Sequence, residues 1–139
     1  KHGISYTILR LPGVIGKNSK HNFISNLIKK LKNENVTTVN LFNKNLKFNN
    51  LIHIEDLSKI IFQSIKSKKI TGTFLLGSKY PVKFKNLINM IQRFHNFTPN
   101  YRINSKGFNL NLSKSIKYKL KLNTSKQTLK NFLNENFNE

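Results

Sequence analysis

With 139 residues and a net charge of +20, the chain has room for one domain with a real core and not for two ordinary ones. It has no cysteine, which excludes disulfide frameworks and thiolate metal sites, and its four histidines and five acidic residues show no metal-ligand spacing. No apolar run approaches the ~18 residues that cross a bilayer, and Lys1-His2-Gly3 does not open a signal peptide, so no membrane partner and a cytoplasmic location are expected.

Residues Ile4 to Arg10 form a mostly apolar, β-branched run, the pattern of a strand covered on both faces as in a parallel sheet. Pro12 should stop the ladder there, leaving Gly13 and Gly16 in a loop that can turn or let a ligand approach the backbone. Phe23, Ile24, Leu27, Ile28 and Leu31 recur at helical spacing with lysines opposite, which predicts an amphipathic helix from about Asn22 to Asn33. Val36–Phe42 and Phe48–Ile54 read as short strands on either side of an Asn-Lys-Asn turn at 43–45.

Asp56 is placed to cap a helix that carries Leu57, Ile60, Ile61 and Ile65 along one face. Gly72 to Gly77 is a compact strand, and Phe84, Leu87, Ile88, Ile91 and Phe94 mark another helix. Beyond Pro99, Tyr101–Ile103 suggests an edge strand. A short helix is expected near Ser113 and a last one from about Ser125 to Phe137. Alternation of strand and helix predicts an α/β arrangement with at least partly parallel strands.

Two phrases carry more than secondary structure. Leu9-Arg10-Leu11-Pro12-Gly13-Val14-Ile15-Gly16 resembles the strand and loop that follow the catalytic helix of extended short-chain dehydrogenase/reductases, the sugar-nucleotide epimerase/dehydratase family. Asn22-Phe23 is similar to the segment that opens that family's next helix. Asn49-Asn50-Leu51-Ile52-His53-Ile54-Glu55-Asp56-Leu57 looks like its Arg-Asp-[Tyr/Phe]-Ile-His-Val-x-Asp-Leu strand. Ser113-Lys114 through Leu120, and then Thr128-Leu129, resemble its closing helices.

The resemblance implies the C-terminal part of a Rossmann-like fold plus its small α/β substrate-binding subdomain. Residues 1–139 would then be a single fragment with the two interleaved. It further implies Pro12 and Gly13 beside the nicotinamide of NAD or NADP, and Asn22 and Asn49 facing the diphosphate of a sugar nucleotide. It leaves room for a homodimer of the intact protein. Asn49 replaces the family's arginine clamp, so it can hydrogen-bond but not neutralise charge; Lys17 or Lys20 is the expected substitute cation. Gly13 offers no side chain to the sugar, and Pro99-Asn100-Tyr101-Arg102 does not match the distal Arg-Pro-Gly-Asp signature of many UDP-sugar epimerases.

The family's reaction needs a Tyr-x-x-x-Lys helix to move a proton near neutral pH. Here Tyr6, Tyr80, Tyr101 and Tyr118 are followed at that spacing by Arg10, Phe84, Ser105 and Leu122, and no glycine-rich dinucleotide fingerprint is present. The chain alone should therefore be inactive, with its catalytic half upstream; an initial lysine agrees with a piece cut from a longer protein. His53, inside a strand, reads as a packed histidine rather than an acid/base group.

The charge invites a different class, a small basic nucleic-acid-binding module, with Gly16-Lys17-Asn18-Ser19 in the place of a KH loop. Ser19 stands where that loop needs its second glycine. Lysine far outnumbers arginine, and the excess of Lys, Asn, Ile and Phe with no alanine is the mark of A-T-rich codons. Lys114, Lys117, Lys119 and Lys121 accordingly read as a solvated face.

Overall fold

A computed structural model describes residues 5–33, 37–41, 43–102 and 109–137. In chain order the elements are β1 (Thr7–Arg10), β2 (Gly13–Ile15), α1 (Phe23–Asn33), β3 (Thr38–Leu41), β4 (Lys47–Phe48), β5 (Leu51–His53), α2 (Ile54–Lys66), β6 (Gly72–Leu75), β7 (Val82–Lys83), α3 (Phe84–Gln92), β8 (Thr98–Tyr101), α4 (Ser113–Lys117) and α5 (Ser125–Phe137). The fold is mixed α/β. Among the described residues its parallel pairs are β1 with β6, β2 with β5 and β3 with β8, and β4 with β7 is antiparallel. Parallel neighbours require crossovers, and the helices supply them.

The β2–β5 pair separates two cores. In register, Val14 faces Ile52 and both feed one core, with Leu57, Ile60, Phe74, Leu76, Leu112 and Leu122. One residue along on each strand, Ile15 and Leu51 point the other way. They join α1 (Ile24, Leu27, Ile28), α3 (Phe84, Leu87, Ile88, Ile91) and α5 (Leu129, Phe132, Leu133). Each fully buried Phe or Ile here contributes about 1.5–3 kcal/mol relative to exposure. Phe84 anchors the second core, with Phe23 and Phe48 rings at 5.5 and 6.2 Å.

Several boundaries differ from the sequence expectation. Gly13–Ile15 is a strand rather than a loop, because β5 offers it a ladder that local pattern cannot reveal. The expected Phe48–Ile54 strand divides into β4 and β5, and α2 begins at Ile54. His53, not Asp56, is therefore the N-cap residue, with no side-chain cap bond, and Asp56 lies buried in the first turn. Phe94 falls past the end of α3. Ile4, Val36, Phe42 and Ile103 lie outside the described residues. Lys114, Lys117, Lys119 and Lys121 are exposed as expected, Lys114 lying 4.8 Å over the Phe74 ring.

Candidate functional site

In open α/β sheets, ligands gather beyond the carboxyl ends of the strands. β1 ends at Arg10, and Leu11-Pro12 carries the chain directly into β2. A Cβ placed on Gly13 would lie 3.4 Å from the Asn50 carbonyl oxygen and 3.5 Å from Asn22 Cβ. The fold therefore brings Gly13, Asn22 and Asn50 together from three separate segments. Gly16 has a different job: a Cβ there would stand 2.6 Å from Ile54 Cγ2, so its absence lets α2 pack against the loop.

Asn22 is the N-terminal cap of α1. Its Oδ1 accepts the Ser25 N–H at 2.9 Å, and its Nδ2 donates to the Val14 carbonyl at 3.0 Å and to Ser25 Oγ at 2.8 Å. One side chain thus fixes the start of a helix against the strand before it. The intervening loop holds Asn18 and His21 at φ 60° and 64°, a region L-residues enter at some cost. A Ser19–Ser25 hydroxyl bond of 2.6 Å closes the loop. Beside it opens a groove of about 510 Å³ whose lining includes Ser19, Lys20, Ser25, Lys29 and Lys32. Lys20, one of the expected cations, thus shares a groove with Ser25, which is bonded to Asn22.

Asn49 is only 2 % exposed, and its amide faces inward. Nδ2 donates to the Leu110 carbonyl at 3.0 Å, while the Leu110 N–H donates to Oδ1 at 2.8 Å. Its own carbonyl accepts the Ser78 N–H at 3.1 Å. Asn49 is thus the buried hub between β5, the turn after β6 and the Leu110 segment. Sequence reading did not single out Asn50, the half-buried neighbour that reaches Gly13, or Leu110. A long-range backbone pairing leaves no local trace.

His53 is buried and packed, as its place in a strand suggested. Nε2 lies 3.1 Å from Glu135 Oε2 on α5. Asp56, a turn into α2, accepts a hydrogen bond from Asn123 Nδ2 at 2.9 Å. Burial pushes the Asp56 carboxyl above its usual range, against the opposing pull of the Asn123 bond and of the Lys59 and His53 charges. These groups tie α5 and the segment before it to β5 and α2. Among the described residues no cluster of His, Cys, Asp and Glu could hold a metal ion, and no helix is long and apolar enough to cross a membrane. The Gly16–Ser19 stretch is a tight turn between β2 and α1, closed by a Ser19 N–H bond to the Gly16 carbonyl at 3.0 Å.

No family model and no curated protein matches the chain. Solved structures do. A UDP-N-acetylglucosamine 4-epimerase from Bacillus cereus is similar at 20 % identity and TM-score 0.65, over 95 % of this chain and 46 % of its own. The Bordetella bronchiseptica enzyme WbmG, solved with NAD and UDP, is similar at 17 % identity and TM-score 0.67, over 95 % of this chain and 44 % of its own. A dTDP-4-dehydrorhamnose reductase from Yersinia enterocolitica gives 16 % and 0.65, over 93 % and 49 %. The chain spans less than half the length of each. Its fold is that of the C-terminal part of a Rossmann-like epimerase or reductase.

Proposed function

We propose that this chain is the substrate-side part of an NAD(P)-dependent sugar-nucleotide epimerase, dehydratase or reductase of the extended short-chain type, acting in the cytoplasm. The last Rossmann strands and helices interleave with a small substrate-binding subdomain, and the proton-transferring tyrosine and lysine come from an upstream half. The observation that carries this reading is the meeting of Gly13, Asn22 and Asn50 beyond the carboxyl end of β1. The fold likeness, and the NAD and UDP held by one similar structure, agree with it.

The residues present fit one wall of a dinucleotide site. Pro12, in the connection after β1, and Gly13, the first residue of β2, place little side chain there, so that a flat ring can lie against backbone. A nicotinamide held there would supply hydride transfer to or from a sugar carbon. This chain's residues position and enclose. Asn22 and Asn49 form the diphosphate side, and because their amides are already bonded to Val14, Ser25 and Leu110, they act mainly by fixing the surrounding backbone. Lys20, on the adjoining groove, is the cation we assign to the phosphate charge.

The test is the polypeptide encoded with its upstream frame. It should bind NAD(H) or NADP(H) and interconvert or reduce a nucleotide sugar, whereas residues 1–139 alone should do neither. An upstream frame without both a glycine-rich strand–helix turn and a Tyr-x-x-x-Lys helix would sink the proposal.

A further inference from the structure

Another pocket, of about 460 Å³, opens where the end of α2 meets α4 and the segment after it. Its lining includes Gln63, Ser67, Lys69, Lys117, Tyr118 and Lys119. That volume falls within the ordinary span of ligand sites, roughly 300–1,000 Å³. Gln63 joins the two walls: its Nε2 donates to the Lys119 carbonyl at 3.0 Å, and its Oε1 accepts the Lys121 N–H at 3.2 Å. Tyr118 is anchored by the buried Phe74 ring, 5.1 Å away and inclined at 74°, yet stays 37 % exposed.

This pocket is separate from the candidate site. β1 and β6 run parallel, with Thr7 beside Gly72 and Arg10 beside Leu75. Lys69 and Ile70 lead into the amino end of β6, whereas Gly13, Asn22 and Asn50 meet beyond the carboxyl end of β1. The two places therefore lie at opposite ends of the same strand pair.

Its charge has no local counterweight. No acidic residue occurs between Asp56 and Glu135. Glu55, Asp56 and Glu135 are held at the other end of α2, on Lys59, Asn123 and His53. Lys68, Lys69, Lys117, Lys119 and Lys121 are all exposed. Coding bias raises the charge of the whole chain without sorting it, since A-T-rich codons supply lysine and asparagine alike and the chain has 22 of each. The segments that form the pocket, 57–70 and 113–121, hold eight lysines and no asparagine.

We propose that this pocket binds single-stranded nucleic acid, its lysines neutralising phosphates and Tyr118 stacking on a base. The role goes beyond the sugar-nucleotide reading and does not depend on it. The exposed tyrosine ring, set in a concave wall, favours this partner among polyanions. An acidic peptide or a lipid headgroup would satisfy the lysines but offers no base to stack, and a duplex keeps its bases stacked inside.

The test is fluorescence anisotropy of a short labelled oligothymidylate with the polypeptide encoded with its upstream frame. The triple substitution Lys69→Gln, Lys117→Gln, Lys119→Gln should weaken binding about a hundredfold at about 0.1 M salt and flatten the log–log salt slope by about 2. Lys83→Gln, Lys85→Gln, Lys130→Gln removes the same charge from exposed positions outside the pocket. It should change affinity less than about threefold, because charges beyond about 10 Å are screened. Tyr118→Leu should weaken binding about fivefold or more at an unchanged salt slope, and Tyr118→Phe should bind as the native chain does. No binding at that salt, equal losses from the two triple variants, or native affinity in Tyr118→Leu overturns the proposal. So does tighter binding of a polyglutamate peptide or of phosphatidylglycerol vesicles that the same pocket substitutions abolish, since another class of partner is then the occupant.

Discussion

Asn49 and Leu110 are joined as two strands would be: one side-chain amide satisfies both the N–H and the C=O of one residue 61 positions away. Both bonds have ordinary N–H···O length, and Asn49 is sealed from water. Asn49→Ala should therefore leave a donor and an acceptor unpaired in a dry site and cost about 2–4 kcal/mol. Urea denaturation of the chain reads this directly. An unchanged midpoint would show that the amide is dispensable to the fold, as a side chain kept only for ligand would be.

Asn22 makes a separable pair of contributions. Asn22→Asp keeps the acceptor for the Ser25 N–H but loses the donor to Val14 and Ser25, whereas Asn22→Ala loses all three bonds. The alanine variant should lose about 1 kcal/mol or more, with the aspartate variant between it and the native chain. Melting curves of the three proteins give the order, and an aspartate variant as weak as alanine would show that the Val14 tie outweighs the cap.

The glycines should rank by what they touch. At Gly77 a methyl would meet the Asn49 carbonyl oxygen at 2.9 Å and Leu110 Cδ1 at 3.0 Å, and backbone cannot step aside. Gly77→Ala should cost about 1–3 kcal/mol. At Gly16 the obstacle is the partly exposed Ile54 side chain, so Gly16→Ala should be milder and rescued by Ile54→Ala in a double-mutant cycle. Gly16→Ala proving the worse of the two would contradict this packing.

Asp56 sets a pH dependence of known sign. Its carboxyl is raised by burial, so the folded protein holds that proton more tightly than the unfolded chain does. Its contribution is most favourable at low pH and is lost as pH climbs above about 4 through the raised value. Asp56→Asn should flatten the stability profile in that window while keeping an oxygen for the Asn123 amide. Unfolding free energies of both proteins between pH 4 and 7 check it, and parallel curves would remove Asp56 from the account.

The helices were the readable part of this chain. Periodic Ile, Leu and Phe positions place α1 and α5 almost to the residue, because a helix's buried stripe is written locally. What stayed hidden depends on partners distant in sequence. β2 looks like a proline–glycine loop until β5 supplies its ladder, and β7 is a two-residue strand paired with β4. Asp56 is a residue type favoured at helix caps, yet here the chain starts its helix three residues earlier than an Asp56 cap would and uses Asp56 to hold Asn123. At the candidate site, Pro12, Gly13 and Asn22 stood out through motif resemblance. Asn50 and Leu110 did not, since their significance lies in what folds against them.

β5 is three residues long, yet Leu51 belongs to one core and Ile52 to the other. Neither core can close without that strand seated in its register, because a one-residue slip would exchange the two side chains. Melting should consequently be a single cooperative event in which the halves share one fate, and the rate at which the chain folds should be governed by how fast Leu51–His53 finds Gly13–Ile15.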